Sequence, residues 1–183
     1  MNLNSNPQNR WTPKTMLFNP FYRIAGAKAL GIGLAGILVA GWIGALSHTH
    51  FDGVFDLHTG VSYMPPAVFL SEGMIDWLCL SLALLVVGKI VSKTAFRTID
   101  LLGTQALARW PAILTGLTTL PPALHRFSQL VVKQITQPGA KTDYNTADMV
   151  VVFAAVIAMI ALTCWMIGLM YKSYSVSCNL RNR

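Results

Sequence analysis

The sequence predicts an all-α integral membrane protein: a bundle of four transmembrane helices whose third member is kinked or re-entrant. Three observations carry that prediction. Residues 149–171 read MVVVFAAVIAMIALTCWMIGLMY, 23 positions without a charge. At about 1.5 Å per residue one such helix crosses a hydrocarbon layer of roughly 30 Å, whereas a packed soluble helix keeps a polar face for water. Second, 54% of the 183 residues are apolar and 11% are charged, the balance of a multispan membrane protein. Third, most of the basic residues behind the formal charge of +7 sit beside the ends of apolar runs, where they set orientation in a bilayer.

That placement also removes nucleic acid as a partner. The chain has no basic helix, no zinc-finger spacing and no basic–aromatic ribbon. Three cysteines are too few for a disulfide framework. Cys79 and Cys164 lie inside apolar runs and pack as small hydrophobes. Cys178 sits in the basic tail, a juxtamembrane position of the kind that is palmitoylated.

Residues 1–15, rich in Asn, Pro and Thr, read as a flexible polar N-terminal tail, and residues 16–183 as a single membrane domain with spans near 24–46, 66–91, 98–119 and 149–171. Ahead of the first span, Met16, Leu17, Phe18, Phe21 and Tyr22 surround an Asn19-Pro20 turn and suit the headgroup layer as an interfacial anchor. The first apolar run exceeds a signal-peptide core in length and is expected to stay attached.

The first span holds one charge, Lys28, near its start, where the side chain can snorkel. Gly36, Ala40 and Gly44 recur every four residues, as do Ala25, Ala29 and Gly33. Small residues at that spacing admit a neighbouring backbone, so this helix is expected at the centre of the bundle, with homodimerisation as the alternative use of the stripe. The loop after it, from His48 to Pro66, contains no Lys or Arg and holds Asp52 and Asp56, so it is expected to face away from the cytoplasm.

Pro66 can open the second helix. Its uncharged part, 77–88, is 12 residues, which leaves Glu72 and Asp76 in the outer half of the span or at its mouth. The third segment is interrupted by Asp100, Gln105, Arg109 and Pro111; a central Arg costs something like 2.5 to 3.5 kcal/mol on insertion scales. Charge favours a full crossing. If the segment crosses, ten basic residues lie on the cytoplasmic side (Arg10, Lys14, Arg23, Lys28, Lys89, Lys93, Arg97, Lys172, Arg181 and Arg183) against three in the 121–148 loop. Residues 123–135 then suit a short interfacial helix, with Leu124, Phe127, Leu130 and Val131 on one side and Arg126 and Lys133 toward the headgroups. The last span runs into Lys172 and a tail, SYSVSCNLRNR.

Two constellations carry chemistry. His48, His50, Asp52, Asp56 and His58 are metal-ligand types at even positions, so an extended chain would aim them one way, and imidazole with carboxylate suits zinc or another first-row divalent ion. Against that, Gly53 breaks either regular conformation, and the same residues serve equally as a polar structural turn, with Phe51, Val54, Phe55 and Leu57 folded onto the bundle, or as an acid–base site. Glu72 and Asp76, four apart, share a helix face. Counted from Lys89 and Thr98, Asp76 and Arg109 lie at depths of roughly 20 and 16 Å, which predicts a buried Asp76–Arg109 pair acting as structural glue or as a proton or ion relay. GxSxG, HExxH and Walker signatures are absent, and GIGLAG (31–36) matches GxGxxG only as letters inside an apolar span.

Asn19-Pro20, FDGVFDLH (51–58), LLGTQALARWP (101–111) and MYKSYSVSCNL (170–180) together resemble bacterial members of the Yip family, multispan proteins related to the Rab-interacting Yip proteins of eukaryotic secretory membranes. The similarity covers the chain from about Phe18 onward. It implies a Yip-domain-like bundle with a cytoplasmic N-terminus and a fifth apolar helix that this chain lacks, a non-enzymatic role in organising a membrane or binding a partner, and no catalytic residue.

The expected reading is therefore a non-enzymatic protein of the bacterial inner membrane with both termini cytoplasmic, its partners the bilayer and a further membrane protein or a second copy. No cofactor is expected unless a divalent metal binds the 48–58 loop. Two alternatives stand beside it: a small ion-coupled transporter component using Glu72, Asp76 and Arg109, and a metal-dependent membrane enzyme using that loop. A transporter needs a polar cavity reaching Asp76; an enzyme needs converging ligands; a scaffold needs neither.

Overall fold

Proline punctuates this chain, and in the computed structural model four α-helices open on it. The model describes residues 13–53, 56, 58–59, 64–92, 94–139, 143 and 145–180. Helix α1 spans Pro13–Phe18 and is followed by a 3₁₀ turn, Pro20–Tyr22. Then come α2 (Gly26–Ser47), a two-stranded hairpin of β1 (Thr49–His50) and β2 (His58–Thr59), α3 (Pro66–Val91), α4 (Thr98–Ala108), α5 (Pro111–Thr119), α6 (Pro122–Thr136) and α7 (Thr146–Ser177). Helices α3, α5 and α6 carry proline in the first turn, where the missing N–H has no helical partner to lose. Helix α7 starts differently: the Asn145 side chain accepts a hydrogen bond from the Ala147 N–H at 3.0 Å.

Three helices, α2 (22 residues), α3 (26) and α7 (32), are long and apolar enough to cross a membrane, which agrees with an all-α integral membrane protein. Their outward side chains are apolar: Ile75, Leu82 and Ile90 on α3 and Phe153, Ile157 and Ile160 on α7 are exposed, as lipid-facing groups would be.

Helix α2 sits at the centre, against α3, α4 and α5. Its buried positions are Ala29, Gly33, Ile37, Ala40, Gly41 and Gly44. At Gly33 a Cβ would lie 2.4 Å from the Ala106 backbone, and at Gly103 it would lie 2.4 Å from the Gly26 carbonyl oxygen. The two helices thus meet backbone to backbone, which only glycine permits. Helix α2 ends where His48 turns into the left-handed region (φ 51°).

The third expected segment is two helices. Pro111 has no N–H and its ring crowds the carbonyl of residue 107. The chain tightens there: the Arg109 N–H bonds Ala106 O and the Trp110 N–H bonds Leu107 O, both at 3.2 Å, in the i→i−3 pattern of a 3₁₀ turn.

Other boundaries move as well. The expected N-terminal tail reaches residue 15, yet helix is already present from Pro13; residues 1–12 lie outside the described residues. Phe21, expected in the interfacial anchor, is buried against Leu107 and Leu169, while Met16, Phe18 and Tyr22 stay exposed. The expected C-terminal tail is largely helix. Ser173 and Ser177 are buried and their hydroxyls bond that of Thr104, at 2.8 and 2.7 Å. Helix α7 then closes in a Schellman motif: Asn179 is left-handed (φ 54°), its N–H bonds Val176 O, and the Leu180 N–H bonds Ser175 O. Cys178 is fully buried beneath Gly88, and burial pushes its thiol above the ordinary range, which leaves it protonated and enclosed rather than presented for lipidation. Helix α6 packs Ala123, Leu124 and Phe127 onto α7 and is tied to it by a two-pronged ion pair, Arg126 to Asp148 at 2.6 and 2.7 Å.

Candidate functional site

Helices α2, α3, α5 and α7 and the turn between α4 and α5 converge on one cavity in the middle of the bundle. Helix α2 supplies Ile37 and Gly41, α3 supplies Phe69 and Asp76, the turn between α4 and α5 supplies Arg109, and α7 supplies Thr163 and Met166. The cavity measures about 50 Å³, room for about three or four waters. Its hairpin side is closed by Phe51, Gly53 and Asp56.

Asp76 and Arg109, the expected buried pair, both line this cavity without touching. No contact within 4 Å joins them among the described ion pairs. Each instead keeps a buried atom, Asp76 Oδ2 and Arg109 Nη2, that finds no hydrogen-bond partner among the described residues. Arg109 caps α4 at the proline-driven turn and is only 7% exposed, while Asp76 stands on α3.

Glu72, the third member of the expected intramembrane cluster, is turned to other work. Its carboxylate accepts from His50 Nδ1 at 2.7 Å and from the Phe51 N–H at 3.1 Å. The His50 ring also lies between His58 and Phe69, at centroid distances of 5.2 and 4.4 Å. These contacts pin the hairpin to α3 at the cavity's outer end.

The expected five-ligand metal set divides for the same reason. Hairpin pairing sets His50 opposite His58, but Glu72 takes His50, and His48 ends α2 with its ring 6.1 Å from that of His125. Asp52, Asp56 and His58 remain, with one ligand atom from each lying within 4.8 Å of the others. His58 Nδ1 is 3.3 Å from Asp52 Oδ1, and both side chains are about half exposed. That imidazole–carboxylate trio has the donor types a divalent ion takes. Val54, Phe55 and Leu57, expected to fold onto the bundle, lie outside the described residues.

Sequence reasoning passed over Thr163 and Thr115, the two hydroxyl residues lining the cavity. The one available signal was a polar residue in an otherwise apolar run. Thr115 is already committed, donating to Pro111 O at 3.2 Å.

The chain matches no family model, no curated protein and no solved structure.

Proposed function

We propose that this chain is a non-enzymatic, four-crossing integral membrane protein that works as an ion-coupled component, with Asp76 as its proton-accepting group and Arg109 as the fixed countercharge. The observation that carries this reading is the pair of unpartnered buried atoms, Asp76 Oδ2 and Arg109 Nη2, on one cavity. Ionisable groups inside a membrane bundle are expensive, and retained ones mark ion and proton paths. Structural glue would close to contact, as Arg126 and Asp148 do at 2.6 Å in this same chain. Asp76 and Arg109 stay apart with space between them.

Two contacts support a fourth crossing by α4 and α5 together. Gly103 packs on Gly26 at one end of α2, and Thr119 donates to Ser47 at the other. Kinked at Arg109, the segment then covers the same depth as α2. In that arrangement Arg23, Lys28, Lys89, Arg97 and Lys172 share the end opposite the hairpin, which by the positive-inside rule is cytoplasmic and puts both termini there, in a bacterial inner membrane. Arg10, Lys93, Arg181 and Arg183 lie outside the described residues.

Membership of the Yip group is proposed on the sequence motifs. In support, three of the four motifs coincide with well-buried stretches: the turn holding Phe21, helix α4 from Leu101 to Ala108, and the α7 terminus with Ser173 and Cys178. The hairpin serves this reading as a cover held by Glu72, and no catalytic or metal chemistry is assigned to it.

A pH jump applied to the reconstituted protein on a solid-supported membrane tests the function, because a proton reaching Asp76 from water crosses part of the membrane field. The wild type should give a transient current that Asp76→Asn abolishes. A current no larger than that of protein-free vesicles, or one unchanged in Asp76→Asn, overturns the reading.

A further inference from the structure

Resting on the reading of the cavity as an ion site, we propose that its occupant is a small monovalent anion of the chloride type, admitted to Arg109 when Asp76 takes up a proton. With Asp76 ionised, its carboxylate balances the Arg109 guanidinium in the middle of the cavity, while the second acid of the lining, Asp56, stands exposed at the hairpin side. Protonating the carboxylate removes that balance and leaves a guanidinium, 7% exposed, with Nη2 still unpartnered. A lone buried charge in a membrane bundle draws in a counterion, and a charge-assisted N–H donor is the group an anion takes.

The other side chains around the cavity favour an anion over a metal cation. Hard cations demand about six or more oxygen ligands, and apart from Asp76 the middle of this cavity offers the hydroxyls of Thr115 and Thr163, the first already engaged. A cation would also have to lie beside Arg109. At about 50 Å³ the cavity has room for a small ion with a water or two.

The remaining charged groups facing Asp76 are few. Glu72 lies on its own helix, Asp56 borders the cavity from the hairpin, and Asp52 is near enough to act on it electrostatically. Among the described residues lining the cavity, α2 and α7 contribute no charge. The step balances without a further reactant: one proton goes to an Asp76 oxygen and one anion goes to Arg109, so the net charge of Asp76, Arg109 and the occupant is zero both empty and loaded.

Chloride titration by calorimetry into purified protein in detergent and gluconate buffer tests this, at about pH 5 and about pH 8. Wild type should bind a single chloride about tenfold more tightly at the lower pH. Asp76→Asn should bind chloride with the same affinity at both pH values. Arg109→Gln should not bind it, while Arg109→Lys, which keeps the charge, should bind weakly and remain monodisperse. No binding by wild type at the lower pH, or a pH dependence that survives in Asp76→Asn, overturns the anion. If chloride binding fails while the Asp76-dependent pH-jump current persists, the inference falls and the ion-site reading stands; if the current is also missing, both fall.

Discussion

The Thr119 hydroxyl donates a 2.9 Å hydrogen bond to the Ser47 hydroxyl, 72 residues earlier in the chain. That bond joins the far end of α5 to the far end of α2. At the other end Gly103 rests on the Gly26 carbonyl, so both segments run the same way over the same distance. With α4 and α5 together as the proposed fourth crossing, the chain returns through α3 and again through α7. Tags placed at the two termini in membrane vesicles are expected to be digested together, from the cytoplasmic face. Digestion of one tag with protection of the other would contradict four crossings.

The Asp76–Arg109 relationship has an energetic signature. Removing one member strands the other charge, which for a buried pair costs about 3 to 5 kcal/mol, and less where water enters. Arg109→Gln is expected to lower the melting temperature in detergent, and Asp76→Asn combined with Arg109→Gln to recover part of the loss. A double-mutant cycle should give a coupling of about 1 to 3 kcal/mol; a coupling near zero would mean that the two charges do not act on each other.

Backbone contact between α2 and α4 leaves no room at Gly33. Gly33→Leu must push the Ala106 backbone aside and should destabilise by about 3 kcal/mol or prevent folding. Gly31, two residues earlier, has nothing within 4 Å. Gly31→Ala should be neutral or stabilising by up to about 1 kcal/mol, because alanine is the better helix former. Equal thermal melting of the two variants would contradict the close packing.

Glu72 holds the hairpin through two hydrogen bonds, so Glu72→Ala strands the His50 imidazole and the Phe51 N–H together. A loss of about 1 to 3 kcal/mol is expected, felt locally. Hydrogen exchange should quicken at Thr49–Phe51 while α4 keeps its protection. Unchanged exchange at the hairpin would show that Glu72 does not pin it.

The apolar runs were legible because hydrophobicity is a local property: 66–91 is α3 residue for residue, and α2 and the core of α7 lie where charge-free stretches predict them. What escaped depended on partners distant in sequence. Ser173 and Ser177 read as a polar tail because Thr104, which satisfies them, is 69 and 73 residues away. Phe21 and Tyr22 are equally aromatic on paper, and only the position of Leu107 and Leu169 decides which is buried. At the site, counting residues set Asp76 and Arg109 at similar depth, but whether the two side chains meet depends on how α3 and the α4–α5 turn pack, which no local pattern encodes. The hairpin's even-numbered ligands looked equivalent until Glu72 claimed His50.

Infrared difference spectroscopy between high and low pH tests the central claim most directly, because it sees the carboxyl proton itself. Wild type should show a protonated-carboxyl C=O band on acidification, and that band should vanish in Asp76→Asn. It should also shift in frequency in Arg109→Lys, through the altered field in the cavity. An identical acid-induced spectrum in wild type and Asp76→Asn would contradict a proton site at Asp76.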